Sequence, residues 1–284
     1  KVREGANLYV HADGRTPEEV TEKVKRYVDD GYRYVRVQMG GYGGTGDAMT
    51  RPDGAADGAY FDPKAYMRNM LEMIAHVRRE VGPELELLHD IHERLTPIDA
   101  VQFAKDVEPY RLFFLEDALA PEDLAWFRTI RAQTSTPLAM GELFNHPLEW
   151  RTLMEERLID FIRMHVSQMG GLTPARKAAD FAQIYGIRTA WHGPSDTSPV
   201  GHAANLHMDL YSPNFGIQEW YQPKPLDYEI FPGLPEVRNG YLYANAKPGL
   251  GIDINEQLAA EYPCQDIIEE WTQTRLPDGT PVRP

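Results

Sequence analysis

Leu85-Glu-Leu-Leu-His-Asp90, Leu112-Phe-Phe-Leu-Glu116 and Leu138-Ala-Met-Gly-Glu142 decide the fold. Each is a short apolar run ending on an acid, and the acids stand 26 residues apart both times (116 − 90 and 142 − 116), about the length of one strand-plus-helix unit. Read as neighbouring parallel strands, the runs put a carboxylate at each strand's carboxyl end, the face on which a β/α barrel builds its active site. Three oxygen donors converging there suit a hard divalent cation, with Mg²⁺ the first choice. Histidine suits zinc, and His92 lies near Asp90, so zinc is the rival metal; three carboxylates and no cysteine favour magnesium.

Outward from these runs, a proline repeatedly follows a residue able to cap a helix: Thr16-Pro17, Asp62-Pro63, Thr96-Pro97, Ala120-Pro121, His146-Pro147, Thr173-Pro174 and Ser198-Pro199. Proline suits a helix's first position, where its missing N–H would lack an intrahelical partner anyway, so seven helices are expected to begin there. Thr16 and Glu19 have the spacing of a capping box. Before the starts lie β-prone runs at Leu8–Ala12, Arg33–Gln38, Glu86–His92, Leu112–Glu116, Leu138–Glu142, Phe161–His165 and Ile187–His192; an eighth, Phe215–Trp220, follows the last helix. Alternating strands and helices imply parallel pairing through right-handed crossovers. Eight strands are enough to close a barrel; an open doubly wound sheet is the alternative. The barrel is expected over residues 1–220. After Trp220 the alternation stops, and residues 221–284 are expected to pack outside it. The chain also starts almost directly on its first strand, so a portion covering the open face is expected to lie N-terminal to it.

Strand alternation puts Asp90 and His92 on one inward face, and Arg163 and His165 likewise on strand six. Arg36 and Gln38 end strand two, His192 closes strand seven just before Gly193-Pro-Ser-Asp196, and Glu219 sits late in strand eight. Met39 to Phe61 is a long glycine-rich connection, a lid candidate. Its Gly41-x-Gly43-x-x-Gly46 matches a dinucleotide fingerprint literally, but no helix opens on it, so it reads as flexibility.

Composition narrows the partners. With 29 Lys and Arg against 43 Asp and Glu the formal charge is −14, without a basic cluster, which disfavours nucleic acid. No apolar run approaches the roughly 18 residues of a membrane span. One cysteine, Cys264, can form no disulfide within the chain and fits a reducing cytoplasm.

A metal held by carboxylates beside a histidine and an arginine can hold a substrate carboxylate and the charge left when the adjacent carbon loses its proton. The Asp-Glu-Glu set resembles the enolase superfamily, and His92 in Asp90-Ile-His92 resembles its mannonate dehydratase family. Trp191-His-Gly-Pro-Ser-Asp-Thr-Ser-Pro-Val-Gly-His-Ala-Ala-Asn-Leu-His207 and Asn214-Phe-Gly-Ile-Gln-Glu219 strengthen the likeness. Related branches carry lysines where Arg36 and Arg163 stand. The resemblance implies a (β/α)7β TIM-like barrel whose C-terminal segment belongs to a capping domain mostly outside this chain. It implies Mg²⁺ on Asp90, Glu116 and Glu142, and His92 as the acid assisting departure of a 3-hydroxyl. The base would be a loop tyrosine paired with Arg36, with Tyr42 the nearest, and Arg163, His192, Asp196, Glu219 and Gln38 would line the substrate site.

The expected activity is that of a hydro-lyase: Mg²⁺-dependent dehydration of a sugar acid, D-mannonate first and D-gluconate second, to a 2-keto-3-deoxy acid through a metal-stabilised enediolate. The alternatives are an epimerase or racemase using the same enolate, and a sugar-acid-binding or regulatory protein with impaired chemistry. Partners would be a small-molecule sugar acid and further copies of the chain.

Overall fold

Proline and capping side chains set most of the helix starts. The computed structural model describes residues 1–40, 52–264, 266–268 and 270–282. Strands and helices alternate as β1 (Ala6–Gly14), α1 (Pro17–Asp29), β2 (Tyr34–Met39), α2 (Pro63–Val81), β3 (Glu86–Asp90), α3 (Pro97–Asp106), β4 (Phe114–Glu116), α4 (Leu124–Gln133), β5 (Leu138–Met140), α5 (Pro147–Glu155), β6 (Phe161–Ile162), α6 (Leu172–Ile184), β7 (Arg188–Thr189), α7 (Pro199–Tyr211) and β8 (Gln218–Glu219). After β8 come α8 (Pro225–Ile230) and a hairpin of β9 (Glu236–Arg238) and β10 (Tyr241–Tyr243). Among the described residues no helix is long and apolar enough to cross a membrane.

Five of the seven prolines are the first residue of their helix (α1, α2, α3, α5 and α7). Pro121 instead opens a single 3-10 turn ahead of α4. Pro174 is the third residue of α6, whose N-cap is Gly171 at φ 96°, three residues before the proline. The physical reason is that N–H groups of the whole first turn lack an intrahelical acceptor, so proline is tolerated beyond the first position. At α1, Thr16 Oγ1 accepts from Glu19 N–H at 3.2 Å, while the Glu19 carboxylate accepts from Arg15 N–H at 2.8 Å, one residue before the expected box partner.

The chain divides into two compact units. One comprises Lys1–Val10, Asp30–Arg33 and Ala139–Asp266. Within it β5, β6 and β7 pair in parallel, a Thr189–Phe215 bridge joins β7 to the approach to β8, and β8 pairs in parallel with β1 (Leu8 with Gln218, Tyr9 with Glu219). The hairpin adds β10 antiparallel to the start of β1. Strands six to eight are shorter than the runs expected from sequence, because the chain leaves regular pairing early. Single backbone bonds nevertheless carry the alignment onward: Arg163 N–H to Met140 O, His192 N–H to Met164 O and Trp220 N–H to Tyr9 O, at 2.8 to 3.2 Å.

The second unit comprises His11–Asp29, Tyr34–Leu138 and Ile267–Pro284. Here β2, β3 and β4 pair in parallel, with Arg36 opposite Leu88 and Asp90 opposite Glu116. Gly40 N–H to Gly14 O ties the end of β2 to that of β1, and Leu115 N–H to Pro137 O ties β4 to the entry of β5. Helix α2 covers β2 and β3 with Tyr66, Met67, Met70, Met73, Ile74 and Val77, a stripe at three- and four-residue spacing. Each such side chain contributes about 1.5–3 kcal/mol by burial. The C-terminal stretch joins this unit where Arg275 pairs with the backbone of Ala59 and Phe61 at 3.0 and 2.8 Å.

Candidate active site

In the second unit Asp90 and Glu116 are the last residues of adjacent parallel strands in register, so their carboxylates leave the sheet side by side. Arg36 Nη1 donates to Asp90 Oδ2 at 2.8 Å and lies 3.4 Å from Glu116 Oε1. Asp117, turned by a left-handed φ of 40°, brings a third acid: ligand oxygens of Asp90, Glu116 and Asp117 lie within 4.8 Å of one another, and all three residues are buried. Oxygens on opposite corners of a Mg²⁺ octahedron are about 4.2 Å apart, at about 2.1 Å per bond, so a small contraction suffices. Three buried carboxylates in one place repel one another, and the single charge of Arg36 offsets that only in part. A divalent cation fits this donor set.

His92 is near Asp90 for a reason other than strand alternation. β3 ends at Asp90, and His92 and Glu93 both adopt left-handed backbone at φ 55° and 58°. Two such non-glycine residues in succession cost on the order of 1 kcal/mol each. The turn is held by His92 N–H to Asp90 Oδ1 at 2.7 Å and Glu93 N–H to Asp117 O at 2.8 Å. His92 Nδ1 stands 3.9 Å from Asp90 Oδ2. Gln38 is buried at the end of β2, and neither atom of its amide has a hydrogen-bond partner among the described residues. Tyr42 and the glycine motif from Gly41 to Gly46 lie outside the described residues, as does most of the expected lid.

In the first unit the centre is Arg163, 0% exposed. Its Nη1 donates to Glu142 Oε2 at 3.0 Å, and its Nη2 donates to Glu219 Oε2 at 2.7 Å and to Tyr9 Oη at 3.0 Å. His192 Nδ1 lies 3.2 Å from Arg163 Nη2, 3.2 Å from Glu219 Oε2 and 3.3 Å from Glu142 Oε2, so the position of its proton decides whether it donates to a carboxylate or accepts from the guanidinium. Glu219 also accepts from Gly193 N–H at 2.9 Å. Glu142 stands two residues beyond β5, carried there by Gly141 at φ 139°, where an added Cβ would meet Arg163 N at 3.2 Å. His165 turns to Ser167 and to Thr197 Oγ1, with its ring 5.5 Å from that of His192; burial, followed by His192, lowers its pKa. Asp196 is exposed.

Sequence reasoning missed two residues of β1. Tyr9 serves Arg163, and His11 Nδ1 lies 3.2 Å from Arg36 Nη2, where it must accept because a guanidinium only donates. The available signal was a Tyr-x-His pair, two apart, in the otherwise apolar run Leu8–Ala12.

Carboxylates and guanidinium groups gathered at the carboxyl ends of strands in a strand–helix alternation define the class: residues 19–258 match the family described as enolase C-terminal domain-like, whose fold is the (β/α)7β barrel. The chain belongs to this enolase superfamily and, within it, to the D-galactonate dehydratase family. A D-galactonate dehydratase family member from Enterocloster bolteae is 50% identical over 288 residues, which span 100% of this chain and 71% of the relative. The crystal structure of an enolase from Pantoea ananatis with bound D-gluconate and Mg matches with a TM-score of 0.96 at 48% identity, over 100% of this chain and 72% of that one. A putative dehydratase from Salmonella enterica serovar Typhimurium matches at a TM-score of 0.81 and 28% identity, over 92% and 68% of the two chains. The resemblance read from sequence therefore holds at the level of the superfamily and of acid-sugar dehydratases, while these curated relatives carry the D-galactonate rather than the mannonate name.

Proposed function

We propose that the protein is a Mg²⁺-dependent acid-sugar dehydratase that removes water from an aldonic acid to give a 2-keto-3-deoxy acid. The observation that carries this is the pairing of Asp90 and Glu116 at the ends of adjacent strands with Arg36 across them, in a chain half identical to dehydratase-family proteins. Asp90, Glu116 and Glu142 would hold the cation, with Asp117 the alternative third donor. When bound, Mg²⁺ would supply the positive charge that steadies an enediolate.

The protein's own groups carry the protons. Tyr42, paired with Arg36, would take the proton from C2. His92 gives a proton to the hydroxyl on C3, which departs as water. The resulting enol closes to a ketone at C2 and gains a proton at C3, so the net change is loss of one water. Arg163, His192, Asp196 and Glu219 orient the carboxylate end and the hydroxyls, and the buried amide of Gln38 offers a donor and an acceptor to one hydroxyl. In this reading the barrel of residues 1–220 carries the chemistry, and 221–284 belong to a capping region. The enzyme works in the cytoplasm as a homo-oligomer.

D-Mannonate is the first substrate to try and D-gluconate, the acid bound to the Pantoea relative, the second. The two differ only at C2, the centre that dehydration erases, so one product serves both. The test is incubation of the full-length protein and Mg²⁺ with D-mannonate, D-gluconate and D-galactonate in heavy water, followed by mass spectrometry. A keto acid lighter by one water is expected. Deuterium at C2 without loss of water would make the protein an epimerase, and binding without any change would make it a sugar-acid receptor.

A further inference from the structure

His89 sits between Leu88 and Asp90 on β3, so its side chain points away from the face that carries Asp90. It is fully buried between α2 and α3, its ring 6.1 Å from that of Tyr66 and 5.6 Å from that of Phe103. An apolar side chain would fill this place without needing partners, whereas a buried imidazole must find them. Its Nδ1 lies 2.8 Å from Val37 O. A carbonyl only accepts, so Nδ1 carries the hydrogen. The Tyr66 hydroxyl stands 2.9 Å from Nε2 and 3.1 Å from Asp90 O, its one proton lying between the two.

These contacts form a polar brace from the backbone of β2, one residue past Arg36, through His89 and Tyr66 to the backbone of Asp90. On the opposite face Arg36 and Asp90 meet directly at 2.8 Å. The same two strand ends are thus fixed from both sides. We propose that Tyr66 and His89 are positioning residues: they set the Asp90 carboxylate for the cation and, through Val37, the reach of Arg36. The inference rests on the reading of Asp90 and Glu116 as cation ligands.

Calorimetric titration of the metal-free full-length protein with Mg²⁺ tests it, alongside melting temperature and the dependence of turnover on Mg²⁺. Groups that orient a ligand typically change metal affinity 10–100-fold, so Tyr66→Phe is expected to raise the Kd for Mg²⁺ about tenfold while kcat at saturating Mg²⁺ recovers. His89→Asn, which can keep the Val37 donor but cannot reach Tyr66, should shift the Kd the same way. Phe103→Leu, which thins the packing and leaves the brace, should lower the melting temperature with Kd unchanged. If Tyr66→Phe and His89→Asn melt lower yet bind Mg²⁺ as the wild type does, the brace is structural only and the proposal falls. Should His89→Asn fail to fold, Tyr66→Phe, which removes one oxygen, decides alone. A wild type that takes up no Mg²⁺ removes the cation site itself and this inference with it.

Discussion

Replacing Arg163 by methionine leaves the shape of the side chain and removes its charge from between Glu142 and Glu219, 3.0 and 2.7 Å away. Both acids are buried, so neither can turn to bulk water for compensation. Opposite charges about 4 Å apart interact by about 4 kcal/mol at an effective dielectric of 20, and removing one partner of a buried pair costs about 3–5 kcal/mol. The two carboxylates share one guanidinium, so the costs do not add, and the same about 3–5 kcal/mol is expected for the pair. At about 2–4 °C per kcal/mol for a domain of this size, Arg163→Met should melt roughly 10 °C below the wild type.

A second substitution makes the reasoning specific. Glu219→Gln in the Arg163→Met background discharges one of the stranded carboxylates and should recover about 1–2 kcal/mol, although the same change alone, which breaks the 2.7 Å ion pair, destabilises. The assay is thermal and urea unfolding of the four members of this double-mutant cycle. If the double variant is less stable than Arg163→Met, Glu219 is not stranded and the electrostatic account of the cluster is wrong.

Three further outcomes follow from other groups. Asp90→Asn should weaken Mg²⁺ binding by tenfold or more, and in the wild type Mg²⁺ at a hundred times its Kd should add about 2.7 kcal/mol of stability; a melting temperature indifferent to Mg²⁺ and chelator would remove the cation site. Burial raises the Asp209 carboxyl well above its usual range, against the nearby Arg3 charge, so the folded state binds that proton more tightly than the unfolded one and stability falls as pH rises through the interval. Asp209→Asn should therefore add about 1–3 kcal/mol at pH 8 and nothing at about pH 3.5, and melts at the two pH values check it. Burial also lowers the pKa of His202 from 6.5 to about 4, so its contribution is whole above about 6.5 and declines as pH falls toward 4, by up to about 3 kcal/mol. His202→Gln should flatten that part of the stability-versus-pH curve, and an unchanged slope would assign it elsewhere.

Asp90 and Glu116 were legible because two local signals coincide at each: an apolar run long enough to be a strand, and an acid where the run stops. Glu142 follows the same grammar, yet it stands beyond its strand, and the positive φ of Gly141 that carries it there leaves only a glycine as its trace in sequence. His92 shows how a correct juxtaposition can follow from the wrong geometry. Alternation predicted an inward strand residue, and the chain instead reaches Asp90 through a left-handed turn paid for by backbone bonds to Asp90 and Asp117. What stayed illegible is pairing at long range. Arg94 meets Thr274 Oγ1 at 3.0 Å across 180 residues, and Arg163 meets Tyr9 across 154. No periodicity encodes such distances.

The polar residues between the expected ligands carry the same lesson further. In Leu88-His-Asp90 the period of two sends the acid to one face and the imidazole to the other, so a strand that looks like one functional residue in an apolar run holds two polar groups with opposite surroundings. Asp90 meets a guanidinium on its face, while His89 meets aromatic rings on the other, where burial suppresses its charge. One backbone thus joins a site that must hold charge to a layer that must exclude it. The polar contacts of Tyr66 fall at that junction, on His89 Nε2 and on the Asp90 carbonyl. A hydrophobic residue at position 89 would satisfy the layer but leave the end of β3 without this hold, which makes the position informative about the site even though its side chain faces away from it.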